Sequence, residues 1–398
     1  MIERKEYLDR LIAWRDKKVI KIVTGIRRCG KSVLLKLYRN YLKSTGVSKS
    51  QIVAVDLDNL DYAHLLDKTK LHDYVLSHHT PGKKLYVFLD EVQNVPEFEK
   101  CVDSLYLRED LDIYITGSNA FFLSGELATF ISGRYITVEM LPLSFKEYVN
   151  FTGSKDDLAR KYREYTSYGA FPYVTELGGD EQNIDDYLRG IYSTIVLKDI
   201  MTRYKFNDAM QLESVLRFCF SNIGSKLSTK SIADTMTSEG RKIDVKTVEK
   251  YLSAFTGSFI LYQAKRYDIK GKQHLKTLEK YYAADVGLRY MLLGRKNIDT
   301  GHILENIVYL ELLRRGYNVS VGKVGEQEVD FVATKPKKGT IYFQVAATVR
   351  DSNTLSRELA PLKAITDNYP KLLLTLDEDP DSDFEGIRKI NALDWLLT

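Results

Sequence analysis

Apolar residues in the first 150 positions fall in short runs separated by longer amphipathic stretches. Val19–Thr24 (VIKIVT), Gln51–Leu57 (QIVAVDL), Leu85–Asp90 (LYVFLD), Asp112–Thr116 (DIYIT) and Tyr135–Met140 (YITVEM) predict strands. Helical periodicity fills most of the intervals, beginning with Ser32–Leu42. Strands alternating with helices imply crossover connections, hence a parallel sheet with helices on both faces. LYVFLD is apolar without alternation, the pattern of a strand buried on both sides.

The strand pattern stops near Phe151. Lys155–Thr166 and Asn183–Tyr204 predict helices, punctuated by Tyr168-Gly-Ala-Phe-Pro172. Leu212–Ile223 follows, then a helix opened by Ser228 and another opened by Asp244, both good capping residues. Phe259–Ala264 and Lys280–Ala284 predict strands around a basic loop. Helix, turn, helix and two-stranded wing form the pattern of a winged helix-turn-helix. The last hundred residues predict a helix at His302–Arg314 and strands at Tyr317–Val321, Glu328–Ala333 and Ile341–Ala346. The expected division is 1–150, 151–205, 206–290 and 291–398.

Composition narrows the class. At ~100–200 residues per domain, 398 residues allow roughly two to four domains. With 44% apolar and 28% charged residues, wholesale disorder is excluded. No apolar run approaches the ~20 residues of a membrane span, and the charged start lacks a signal-peptide core. No membrane partner is expected. Three scattered cysteines make neither a disulfide framework nor a zinc site, which fits a reducing cytoplasm. The net charge of +4 is an average. Residues 221–285 hold twelve Lys/Arg against seven Asp/Glu, whereas residues 351–398 hold five against ten. Lys265, Arg266, Lys270, Lys272, Lys276 and Lys280 lie in or beside the wing, so the segment 265–280 can contact the DNA backbone. A winged helix serves equally as a packing or partner module, and both roles stay open. His78-His79 reads as a surface pair, and the acidic run Asp377–Asp383 as a solvated loop.

The strongest chemical signal is at the first strand–helix junction. Gly25-Ile26-Arg27-Arg28-Cys29-Gly30-Lys31-Ser32, followed by Val33, matches G-x-x-x-x-G-K-[ST] between a strand and a helix. Glycines let the loop aim backbone N–H groups into one concavity, and the helix adds its unpaired N–H groups and dipole. Lys31 can bridge the β- and γ-phosphates of ATP, and Ser32 can ligate Mg²⁺. At the end of LYVFLD, Asp90 is the second candidate for Mg²⁺, and Glu91 for orienting and deprotonating the attacking water. The two carboxylates should point to opposite faces of the strand. In Thr116-Gly-Ser118-Asn119, Asn119 and then Ser118 are placed to bond the γ-phosphate or the water, although these are also ordinary turn residues. Arg134 precedes the YITVEM strand after a helical stretch, Phe121–Ile131. It suits an arginine finger to a neighbouring subunit's γ-phosphate, and equally a helix-end cation.

GIRRCGKS, FLDEVQNVPEFE, ITGSNA, LSGELATFISGRYITVEMLPLSFKEY and YGAFPYV together resemble the prokaryotic AAA-type ATPases that carry a C-terminal domain of unknown function. These are close to the archaeal ATPases grouped with the STAND NTPases. The resemblance implies a five-stranded AAA-like core, ATP hydrolysis and a helical lid over residues 151–205, with Arg160 and Arg163 as lid candidates. It supplies no biological role. A slow nucleotide switch or scaffold, working through a homo-oligomer or a protein partner, stays beside the ATPase reading as an alternative.

A third constellation closes the chain. Glu305 on a helix, Asp330 on a strand and Gln344 on the next strand resemble a PD-(D/E)xK nuclease fold, in which carboxylates bind Mg²⁺ and a lysine activates water. The lysine place holds Ala346, and Gln is a poorer Mg²⁺ ligand than Glu. Lys323 or Lys363 could substitute. A nuclease-like scaffold is therefore expected ahead of nuclease activity.

Overall fold

The computed structural model describes residues 2–120, 133–153, 157–294 and 299–398. The chain gathers into two compact units: residues 1–140 with 257–259, and residues 141–256 with 260–398.

In the first unit the expected strands form as β1 (Ile20–Thr24), β2 (Ile52–Asp56), β3 (Leu85–Asp90), β4 (Leu111–Gly117) and β5 (Tyr135–Glu139). They make one parallel sheet in the order β2-β3-β4-β1-β5. β1 and β4 are buried at every position, whereas edge strand β2 alternates. This is what continuous and alternating apolar patterns require. One face carries Ile20, Ile22, Val53, Val55, Val87, Leu89, Ile113 and Ile115. It packs on Leu71 and Val75 of helix Lys68–Ser77 and on Val102 and Leu105 of helix Phe98–Tyr106. Side-chain alternation sends Lys21, Asp112 and Tyr114 to the other face. There the fully buried Lys21 pairs with Asp112 and donates to Lys17 O at 2.7 Å. Tyr114 donates to Asp112 at 2.9 Å and meets the hydroxyl of Tyr38, from helix Lys31–Ser44, at 2.8 Å. Every buried charge on that face thus has a partner.

The second unit opens with helix Phe145–Thr152, capped by a reciprocal Ser144–Glu147 box. Helix Leu158–Tyr168 is capped by Asp157. The next expected helix divides into Glu181–Ser193 and a π-helical stretch, Thr194–Thr202. Helices Ala209–Ser221, Thr229–Ser238 and Val245–Gly257 lead to a long hairpin, β7 (Leu261–Asp268) and β8 (Gln273–Ala283). Asp244 caps the third of these helices through Thr247 N at 3.0 Å. A two-residue strand, β6 (Lys226–Leu227), pairs with β8.

The hairpin is part of a larger sheet. β9 (Asn318–Val324), β10 (Gln327–Lys335) and β11 (Gly339–Ala346) pair antiparallel, and β7 adds to β9 in parallel. Three strands that the apolar pattern did not predict complete it: β12 (Lys371–Thr375), β13 (Ser382–Phe384) and β14 (Ile387–Asn391). The order is β13-β14-β12-β11-β10-β9-β7-β8-β6. One sheet therefore runs across residue 290.

The acidic run is an exposed loop at Glu378, Asp379 and Asp381, as expected, but differs at its ends. Asp377 is buried and accepts from Thr348 Oγ1 at 2.6 Å and Val349 N at 2.9 Å, and Ser382–Phe384 is a strand. A carboxylate can leave water when such donors replace its hydration.

Candidate functional site

The C-terminal ends of β1, β3 and β4 lie side by side, because Thr24 pairs with Gly117 and Leu89 with Ile115. Open parallel sheets bind ligands at this edge. The phosphate loop continues from β1. Gly25 has φ 143°, and a Cβ there would lie 2.1 Å from Met140 O, so only glycine fits. Gly30, at φ 105°, starts helix Lys31–Ser44 from a left-handed conformation. Cys29 is buried, and its carbonyl accepts from Arg4 Nη1 at 2.9 Å. Lys31 donates to Gly25 O at 3.0 Å and Ile26 O at 3.2 Å.

Asp90 and Glu91 do not splay as a regular strand would require. Glu91 takes the left-handed conformation (φ 52°), and both carboxylates meet side chains of one face of β4 and its tip. Asp90 accepts from the Ser32 and Thr116 hydroxyls, and burial still holds its carboxyl above the usual range. Glu91 accepts from Ser118 Oγ at 2.7 and 2.9 Å and from Gln93, and Lys31 Nζ is 3.9 Å away. Burial pushes the Glu91 carboxyl up. Lys31, the Ser118 and Gln93 hydrogen bonds and Arg27 outweigh that and hold it below the usual range. The result is a pair of adjacent carboxylates in different environments. Asn119 is buried at the same tip.

Sequence reasoning missed Arg4, Thr116 and Gln93 and ranked Ser118 second. Thr116 and Ser118 share the parity of β4, which was the available signal. Nothing local marked Arg4 or Gln93.

A second polar centre lies in the second unit. Lys280 of β8 is 4% exposed and sits 2.8 Å from Glu305 Oε1, 2.9 Å from Glu328 Oε1 and 3.7 Å from Asp330 Oδ1. Glu305, on helix Thr300–Arg314, also accepts from Tyr282 OH at 2.7 Å. Asp330 Oδ2 accepts from Val345 N at 2.9 Å, and Gln344 Nε2 donates to Glu358 Oε2 at 2.8 Å. Lys226 reaches Glu328 Oε2 at 2.8 Å. The three predicted residues Glu305, Asp330 and Gln344 thus line one cleft of about 660 Å³. Burial alone would lower the Lys280 pKa, but the three carboxylates raise it above the lysine range. Burial and then Glu305 hold Asp330 well above the usual carboxylate range. Among the described residues, no set of three His, Cys, Asp or Glu side chains is arranged to hold a metal ion.

An AAA-domain family matches residues 17–149, and a domain of unknown function matches residues 159–299. An uncharacterized protein of Haemophilus influenzae is 40% identical over 401 residues, spanning 100% of this chain and 99% of its own. The chain belongs to the same family of AAA-domain proteins. An uncharacterized protein of Methanocaldococcus jannaschii is 28% identical over 94% of this chain and 85% of its own. Among solved structures, the Walker-type ATPase of Pyrococcus abyssi is similar at 16% identity and TM-score 0.49, covering 73% of this chain and 96% of that one. The Aeropyrum pernix ORC1 protein, solved in complex with DNA, is similar at 13% identity and TM-score 0.31, covering 73% and 92%. Likenesses this distant add nothing to the chemistry.

The AAA domain makes the first unit a P-loop ATPase core. Arg134 precedes β5 at the opposite edge of the sheet from the phosphate loop, where Ile20 pairs with Tyr135. Its Nη1 is 2.6 Å from Asp103 Oδ1. It therefore cannot serve its own chain's loop, five residues of strand away. The stretch Phe121–Ile131 lies outside the described residues. The basic wing is smaller than its sequence suggests. Lys280 and Arg266 are buried, whereas Lys265, Lys270 and Lys272 are exposed. Neither Lys323 nor Lys363 enters the second centre. They pair with Glu326 and Glu385 at 3.8 and 3.0 Å. Arg160 pairs with Asp157 and Glu164 on its own helix. Of the histidine pair, His78 is exposed as expected, whereas His79 is half-buried and bonds Asp110. No helix among the described residues is long and apolar enough to cross a membrane.

Proposed function

We propose that the chain is a Mg²⁺-dependent ATPase whose nucleotide cycle is coupled to DNA held by the β7–β8 hairpin. The observation that carries this reading is the Glu91 carboxylate, partly buried, held below its usual pKa and fixed by Ser118 and Gln93 within 3.9 Å of Lys31. A carboxylate kept below its usual pKa orients a water better than it removes a proton, and phosphoryl transfer needs mainly positioning.

The residues present fit Mg²⁺. Ser32 and Asp90 bring two hard oxygen donors together, and such sites take few protein ligands beside substrate phosphates. When bound, the ion neutralises charge on the phosphates. Lys31 leaves its two carbonyl contacts for the β- and γ-phosphate oxygens, and the loop N–H groups hold them. Glu91 accepts a hydrogen bond from the water. The water oxygen bonds to the γ-phosphorus as the bridging P–O bond breaks, the water's proton passes to a phosphate oxygen, and ADP leaves. Asn119 orients the water or a γ-oxygen. Arg134 acts only in trans, on a neighbouring copy, after exchanging Asp103 for phosphate. Glu91→Gln should bind ATP with turnover reduced about 10²–10⁴-fold. Normal turnover in that variant sinks the assignment.

The helices Ala209–Ser221, Thr229–Ser238 and Val245–Gly257 with their hairpin support a winged-helix-like module, and β9–β11 with helix Thr300–Arg314 a nuclease-like scaffold. Exposed Lys265, Lys270 and Lys272 favour duplex backbone as the partner. ATP turnover should rise with DNA at low salt, and the stimulation should fade as salt increases. Equal turnover with and without DNA at every salt concentration removes the DNA part of the proposal.

A further inference from the structure

A nuclease-like centre is expected to hold a divalent ion, and the residues here do not fit one. The position where carboxylates converge is already filled by a cation. The parity of β10 puts Glu328 and Asp330 on one face, β8 presents Lys280 and Tyr282 together, and helix Thr300–Arg314 brings Glu305. Their oxygens meet at Lys280 Nζ, at 2.8, 2.9 and 3.7 Å. Lys226 adds a second ammonium to Glu328 at 2.8 Å. Asp330 spends its other oxygen on Val345 N, and Glu358, the next carboxylate in the cleft, holds Gln344 Nε2 and pairs with Arg357. A hard divalent ion needs about six oxygens near 2.1 Å in a rigid geometry. Here it would sit beside a buried ammonium that competes for the same oxygens.

We infer that Lys280 is the resident cation of this centre, closing it to divalent ions and tying the β7–β8 hairpin to helix Thr300–Arg314 and β10. The lysine missing from β11 is supplied by β8, and it occupies the centre instead of attending a metal. The inference uses only the second unit and stands apart from the ATPase reading.

Titration of the full chain with Mn²⁺ alone, followed by electron paramagnetic resonance, tests it. The wild type and Asp330→Asn should show the same weak Mn²⁺ uptake. Lys280→Ala should gain one site, at least tenfold tighter, that Lys280→Ala/Asp330→Asn lacks. Because Lys280→Ala leaves buried carboxylates unpaired, the charge-balanced Lys280→Ala/Glu328→Gln is measured alongside. It should gain the same site, and Mn²⁺ should raise its Tm without raising that of the wild type. Wild-type Mn²⁺ binding that Asp330→Asn abolishes overturns the inference, as does a folded charge-balanced variant with no added site.

Discussion

Lys31 and Lys280 each face carboxylates, and they are held in different ways. Lys31 leans on two backbone carbonyls at 3.0 and 3.2 Å, with one carboxylate 3.9 Å off. Lys280 has three carboxylates around it, two of them within 2.9 Å. The carbonyls are neutral acceptors that phosphate oxygens can outcompete, so Lys31 is free to change partners. Lys280 is saturated, and leaving would strand buried anions. On the proposed readings, a cation available to phosphate and one committed to structure differ in what already satisfies them.

The comparison can be broken at either lysine. The largest effect should come from Lys31→Ala. It should reduce ATP binding and kcat/KM by at least ~10²-fold, as loss of a phosphate-directed donor does, with little change in Tm. Nucleotide titration and thermal melting separate the two. Lys280→Met should do the reverse. Breaking a buried ion pair costs about 3–5 kcal/mol. At roughly 2–4 °C per kcal/mol for units of this size, the Tm should fall by roughly 6–20 °C. ATP affinity of the folded fraction should be unchanged; a large loss would mean Lys280 also serves the nucleotide site.

The smallest effect sharpens the roles within the second centre. The folded state holds the Asp330 carboxyl above its ordinary range, through burial and then Glu305. The stability linked to its neutral form is full below the unfolded carboxylate pKa and is lost as pH rises through the folded value. Asp330→Asn mimics the neutral form. Its Tm should match the wild type near pH 4 and exceed it increasingly toward neutral pH. A lower Tm at neutral pH would mean that Asp330 is an ionised partner of Lys280 like Glu305.

Much of the first unit was legible because its signals are local. A phosphate loop is eight consecutive residues, and Asp90-Glu91 ends an apolar run. Five strands were readable because a parallel sheet buries whole runs. The carboxylate geometry was not readable. Alternation predicts opposite faces, and a left-handed turn at Glu91 overrides it. In the second unit, β12 to β14 went unpredicted, since only the pairing of KLLLT with β11, and of IRKIN with KLLLT in turn, shows them to be strands. Lys280 looked like one more basic wing residue because it follows Lys270, Lys272 and Lys276 in the chain.

The sequence alone therefore determined the ATPase core, its phosphate loop and the identity of the two acidic residues, because those depend on neighbours a few positions apart. Tertiary structure alone decided which charges are surface and which are structure. Glu305, Glu328 and Asp330 lie 25, 48 and 50 positions from Lys280, and only the sheet that joins β8 to β10 through β7 and β9 brings them within reach. Charge is written in the residue, but its availability depends on what the fold places against it.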